Sequence, residues 1–308
     1  MTVKEIGPAV AARWVFFVRA TLQVHAQDKF IAFLDIIGFS ALVEQAERSG
    51  GDLTRPIELM RALEASTDVQ RLSRNGSAIC PQSRRIARDL DFQATQVSDC
   101  LVASVEISPA GVINLASHCF GIVLALMRMG ALCRGVIKRG NIFHRDGRFL
   151  GTGYMQAYGA EGQVAFLRSE AGENGTPFVQ IDGALIDFVR DETDDCVRKM
   201  FTRITHSDGT YTAIYPFKAL GKVPSSIVGM DFDPVRWKAS LQTSFNNRLA
   251  LLAQFNEQEQ CAPDDRSRQK ICHYKRGLEE VLDRLRAKEA ALDRMIATSQ
   301  IPYGTVWL

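Results

Sequence analysis

The chain has 308 residues, 46% of them hydrophobic, enough to build a real core in one large domain or two small ones. Its 37 basic and 35 acidic side chains leave a formal charge of +2, which excludes a general affinity for nucleic acid or membranes and confines any anion site to a local cluster. Seven scattered cysteines without a CxxC pair exclude a zinc site of the usual spacing, and the N-terminus lacks a signal-peptide h-region, so the expectation is a reduced, soluble, cytoplasmic protein.

Helical spacing predicts a leading helix over residues 5–24. FIAFLDIIGF, residues 30–39, is an apolar run of strand length broken by one acid, Asp35. A carboxylate at the end of a buried strand is costly unless it is paired or bound to a metal; the alternative is an Asp that only caps the next helix. That helix is predicted from Ser40 as N-cap to Glu47, with Glu44 close to the capping-box position, and Pro56 opens another. Residues 71–88 form a polar, basic connection with turn residues Asn75, Gly76 and Pro81, and its Arg84, Arg85 and Arg88 read as a solvated loop. Asp89 and Asp91 read as the solvated start of the strand that follows.

DFQATQVSDCLVASVEIS shows two alternating runs broken at Ser98-Asp99, the pattern of a hairpin. Residues 110–130 are apolar nearly all round and predict a buried helix ending at Gly130, in which His118 is expected to be a satisfied core residue. LCRGVIKRGNIF reads as a strand, HRDGR as a turn, and a short helix follows near Tyr154. Strands around PFVQI and YTAIYPF flank one helix near residues 183–200. Beyond residue 220 two amphipathic helices separated by CAPDDR predict an antiparallel appendage, with the stripe of Leu278, Val281, Leu282 and Leu285 packed against the parent domain.

From Phe30 the order is β, α, α, ββ, α, β, α, β, α, β, which contains the split βαβ arrangement of ferredoxin-like and palm domains. The predicted fold class is therefore α+β with an antiparallel-rich sheet. The predicted divisions are a helical segment over 1–28, a catalytic domain over 29–220 and a helical appendage over 221–308. In such a fold the hairpin tip lies beside the end of the first strand, so Asp35 and Asp99 reach the same ion. Two carboxylates with a backbone carbonyl and water suit Mg²⁺ or Mn²⁺. The amides of Ile37, Gly38, Phe39 and Ser40 at the helix start offer a place for phosphate oxygens. Acids, amides and metal in this layout describe nucleotidyl transfer with two ions.

FLDIIGFSAL resembles the first metal motif of class III nucleotidyl cyclases, F-x-D-I-x-G-F-[ST]. QVSDCLVAS is similar to the hairpin that carries their second metal Asp, with Ser98 in place of the usual Gly. RGVIKRGNIF resembles their R-x-G-I-x-x-G strand: Arg134, Ile137 and Gly140 match and Val136 replaces the middle Gly. The likeness covers roughly residues 29–220 and includes the element order. At the two positions that read a purine stand Thr95 and Arg148, and the transition-state Asn and Arg align with Met155 and Gly159. LGTGYMQAYGAE, with Gly151, Gly153, Ala157, Tyr158 and Glu161, is instead similar to the G-x-[AG]-x-x-x-A-Y-x-x-E helix of the bacterial pyrimidine cyclases of Pycsar antiphage defence.

The resemblance implies a head-to-tail homodimer with two interface sites. It implies UTP or CTP as substrate and a cyclic nucleotide read by a responsive effector; a long Arg148 and a short Thr95 disfavour adenine, and UTP is the expected substrate with CTP second. Asp35, Asp99 and Arg134 are the implied catalytic residues, and Asp35, Asp99 and the Ile36 carbonyl the implied ligands of two Mn²⁺ or Mg²⁺ ions. Phe33, Ile37, Gly38, Phe39 and Ser40 of one chain, with Thr95, Arg148 and Tyr154 of the other, are the implied nucleotide contacts. A cyclase-like module that only binds nucleotide or dimerises is the alternative.

Overall fold

Strand β1 (Gln27–Ile36) is an interior strand of the sheet, flanked antiparallel by β3 (Cys100–Glu106) and β4 (Cys133–Arg145). The computed structural model describes residues 25–68, 90–170, 172–220 and 234–298. The predicted leading helix, the basic connection with Arg84, Arg85 and Arg88, and Asp89 lie outside these residues. The remaining strands are β2 (Gln93–Val97), β5 (Arg148–Leu150), β6 (Val179–Ile181), β7 (Thr205–Ser207) and β8 (Thr212–Ile214). Their order is β2-β3-β1-β4-β6-β8-β7, with β5 paired to β4, and only the β4–β6 pair is parallel. The α+β, antiparallel-rich class read from the sequence is the class observed.

The continuous apolar run in β1 follows from burial on both sides. Phe30, Ala32, Leu34 and Ile36 join the large core on one face, and Ile31 and Phe33 join a smaller core on the other. The large core lies under helices α1 (Phe39–Arg48), α2 (Thr54–Glu64), α3 (Pro109–Arg128), α5 (Gly183–Arg190) and α6 (Asp195–Ile204). Helix α3 is long and apolar enough to cross a membrane, yet most of it is buried between the sheet and α6, so its hydrophobicity is that of a core helix. Ser108 caps it by accepting from the Gly111 amide at 2.9 Å, and Pro109 stands at its first position. The smaller core lies under α4 (Thr152–Glu161), which approaches β4 so closely that Gly140 and Gly153 meet backbone to backbone.

Three expectations need correction. Ser40 is not the cap of α1. The chain turns at Gly38 in the left-handed region (φ +78°), no side chain caps the helix, and the buried Phe39 is already its first residue. The single helix expected over 183–200 is two, because Asp194 accepts from the Cys196 amide and Glu192 accepts from the Asp194 amide, which breaks the chain between α5 and α6. The short strands β5 and β7 were not expected at all.

Helix α7 (Phe217–Leu220) leads to α8 (Pro234–Gln260) and α9 (Asp265–Ala297). The last two run antiparallel, with Lys238 against Asp293 at one end and Lys275 against Glu259 at the other. The expected stripe is buried: Leu278, Val281 and Leu285 form a second core with Phe178, Tyr215 and Phe217 of the sheet region. At Gly277 the packing is tight enough that an added Cβ would lie 2.4 Å from the Phe217 ring.

Candidate metal and nucleotide site

The sheet register assembles the site. Asp35, at the end of β1, stands opposite Cys100 on β3 and Arg134 on β4. Asp99 lies in the β2–β3 turn, and its carbonyl accepts from the Ile36 amide at 3.3 Å, which ties the hairpin tip to the end of β1. Ser98 adopts φ +55°, the left-handed conformation that glycine adopts without strain, so the turn keeps its shape despite the substitution. One ligand atom from each of Asp35, Asp99 and Cys100 lies within 4.8 Å of the others. The expected meeting of the two acids is what the chain folds into.

Charge around them is unbalanced. Arg134 gives its Nε to Glu161, the last residue of α4, and its Nη2 stays 3.7 Å from Asp35. Asp35 and Glu161 therefore share one guanidinium, with Asp99 beside Asp35. Burial raises the Asp35 pKa to about 6; Glu161 and Asp99 add to the rise, while a 3.3 Å hydrogen bond from the Cys100 thiol and the charge of Arg134 oppose it. The Cys100 thiol is itself pushed up by burial and by Asp35, so it is a neutral donor rather than a thiolate ligand. What is left is a pair of hard oxygen donors with a surplus of negative charge, a set that fits Mg²⁺ or Mn²⁺ and not a soft metal.

The phosphate cradle is narrower than expected. The Ile37 amide is already bonded to the Leu132 carbonyl at 3.0 Å, so it is removed from the predicted set; the uncapped first turn at Phe39 and Ser40 retains the role. Gly38 has open space around it, so its glycine serves the positive φ and not close packing.

The residues expected to read the base sit on β2, β5 and α4, and of them Tyr154 packs against the same small core as Cys100. Thr95 Oγ1 is within 2.9 Å of His144 Nε2, and His144 Nδ1 is 2.9 Å from Ser104 Oγ, a buried network inside one chain. Burial, reinforced by Lys29, lowers the His144 pKa to about 4. Arg148 is exposed at the start of β5. Tyr154 packs edge-on to Phe149 at 4.7 Å, and Phe33 meets Tyr158 at 5.4 Å. Phe33 is thus a core residue whose ring helps seat α4.

Two participants were not singled out beforehand for a site role: Cys100, which donates to Asp35, and Glu161, which was legible only as a motif position. Two bland readings also change. His118 is buried, but its Nε2 has no hydrogen-bond partner and burial lowers its pKa to about 4; its ring packs edge-on to Phe92. Asp91 is not merely solvated, because it pairs with the buried Lys29 at 2.6 Å.

No family model matches the chain, and no curated protein matches it. Among solved structures it is similar to a class III adenylyl cyclase-like ATP-binding protein from Pseudomonas aeruginosa, at 12% identity and a TM-score of 0.30, over 53% of this chain and 35% of that one. The chain thus spans about a third of that structure's length. At that score the likeness adds nothing to the reading of the site, which stands on its own geometry.

Proposed function

We propose that this chain is a nucleotidyl cyclase of the class III type that converts a pyrimidine triphosphate, UTP before CTP, to its 3′,5′-cyclic nucleotide and pyrophosphate. The observation that carries the reading is the convergence of Asp35, at the end of β1, and Asp99, in the β2–β3 turn, at a partly buried point with surplus negative charge. Two divalent ions held there, with the Ile36 carbonyl, would supply the Lewis acidity that such a displacement uses. Asp35 and Asp99 orient the ribose 3′-hydroxyl and the α-phosphate toward each other. The open amides at the start of α1 hold phosphate oxygens, and Arg134, steered by Glu161, places its charge where negative charge builds.

The short Thr95, engaged with His144, gives adenine no contact, while the guanidinium of Arg148 suits the carbonyl oxygens of uracil or cytosine. Val97, Leu150, Met155 and Tyr158 are exposed hydrophobic residues of the β2–β3 hairpin, β5 and α4. They support a homodimer in which Thr95, Arg148 and Tyr154 face the site of the other copy. In this proposal the protein acts in the cytoplasm and its product is an antiphage signal to a cyclic-nucleotide-responsive effector.

A second reading is a nucleotide-binding module without turnover. It is favoured by Met155 and Gly159 at the positions of the transition-state Asn and Arg. One experiment separates the two. Purified full-length protein is given each of the four triphosphates with Mn²⁺ or Mg²⁺, pyrophosphate release is followed and the product is weighed. The expected result is a cyclic pyrimidine nucleotide, lost in Asp35→Ala and Asp99→Ala. A product from ATP alone would overturn the pyrimidine assignment, and triphosphate binding without pyrophosphate release would establish the binding module.

A further inference from the structure

Helix α9 reaches the candidate site from the far end of the chain. Arg266, Lys270, His273 and Tyr274 share one face of its first turns. His273 Nε2 donates to the buried Glu173 at 2.7 Å, and Arg266 Nη2 reaches the Asn174 carbonyl at 3.5 Å. The same loop presses on Arg134: a Cβ added to Gly175 would lie 2.5 Å from its Nη1. Arg134, the 173–175 loop and the start of α9 are therefore one continuous contact.

Lys270 sits on that contact. It is 9% exposed, and among the described residues it pairs with no carboxylate and donates to no acceptor. The charged groups that act on it are Arg134, Arg266, Glu161 and Asp264, two of each sign. Burial, with the two arginines, holds its pKa below the usual lysine range. Its stem is packed while its ammonium stays open to solvent at the edge of the contact, and nothing in the packing of α9 calls for a lysine where its neighbours Ile271 and Tyr274 are buried apolar and aromatic groups. The lysine is explained if the missing anion is a ligand.

We propose that Lys270 binds the terminal phosphates of the nucleotide, so that the C-terminal helix completes the anion-binding half of the site. This rests on the reading of Asp35 and Asp99 as a nucleotide site and extends it to a residue outside the domain that carries the motifs. The ammonium adds a point charge beside Arg134, whose Nε is engaged by Glu161.

The test is calorimetric binding of inorganic tripolyphosphate and of UTP and UMP, with Mg²⁺, to full-length wild type, Lys270→Met and Lys270→Arg. Met keeps the packing of the stem and removes the charge. Lys270→Met should weaken tripolyphosphate and UTP on the order of 10-fold to 100-fold, leave UMP nearly unchanged, and be largely rescued by Lys270→Arg. Its thermal midpoint should stay close to that of wild type, because the packing of the stem is kept and the charge lost is one that reaches solvent. The inference is overturned if Lys270→Met keeps its tripolyphosphate affinity, if UMP weakens as much as UTP, or if wild type binds no tripolyphosphate. Wild type that releases pyrophosphate as readily as Lys270→Met sinks this inference and leaves the cyclase reading standing. Lysine-dependent tripolyphosphate binding without pyrophosphate release does the reverse.

Discussion

Asp35 is the residue on which burial, charge and strand geometry meet, and its position has a thermodynamic signature. Its carboxyl pKa is raised from 3.8 to about 6 in the folded chain, so the native state holds this proton more tightly than the unfolded one. The stabilisation this gives is present below the unfolded value and is lost as pH rises through about 6. At pH 7.5 without metal the ionised group is a net cost. Asp35→Asn should therefore stabilise the metal-free protein by about 2–3 kcal/mol at pH 7.5, as read from urea unfolding, with the gain shrinking as pH falls toward 4. The same variant should lose pyrophosphate release. An Asn variant no more stable than wild type at pH 7.5 would mean that the carboxylate is already compensated, and the argument for a cation there would fail. This residue was legible in the sequence because one charge stands out in an apolar strand, and Asp99 because a hairpin was legible around it. Cys100 and Glu161 were not, since their roles depend on which strands end up side by side.

At the scale of elements the site depends on α4 lying flat on the sheet, and a pair of glycines allows it. A Cβ on Gly153 would lie 2.6 Å from Ile31 Cδ1 and 2.8 Å from the Gly140 backbone, so the helix would have to move away. Gly159, on the same helix, has open space around it. Gly153→Ala is expected to destabilise the fold by about 1–3 kcal/mol. Gly159→Ala should instead gain roughly 0.5–1 kcal/mol from helix propensity alone. Only the first should also depress pyrophosphate release, because Glu161 steers Arg134 from the end of α4. Thermal unfolding of the two variants beside wild type checks the contrast, and equal effects would show that the close approach does not hold the helix in place. The long elements were legible from periodicity: β1 by its continuous apolar run, α3 by its all-round hydrophobicity, the hairpin by alternation. The three-residue strands β5 and β7 are too short to carry a period, and the break between α5 and α6 is made by side-chain caps within an acidic stretch that composition alone does not resolve.

For the molecule as a whole, the C-terminal pair was legible as two amphipathic helices but not as half of a core. Amphipathicity shows that a face will be buried and says nothing about what covers it. Here α9 supplies Tyr274, Leu278, Val281 and Leu285 to a cluster whose other half is Phe178, Tyr215 and Phe217, and the helix is keyed in place by His273 and Glu173, whose side chains are 4% and 3% exposed. Burial pushes the Glu173 pKa up, but bonds from the Ser169 amide and hydroxyl and from His273 outweigh it and hold it below the usual carboxylate range. Removing His273 strips one of these donors from a carboxylate that is almost wholly buried. His273→Ala should cost about 2–3 kcal/mol of stability, and His273→Gln, which can still donate, should recover part of it. Because the 173–175 loop also bears on Arg134, and the same helix carries Lys270, the loss should not stay local: tripolyphosphate affinity should fall with stability in His273→Ala and return with it in His273→Gln. If affinity is unchanged while stability drops, the C-terminal helix supports the core alone and the anion site is built without it.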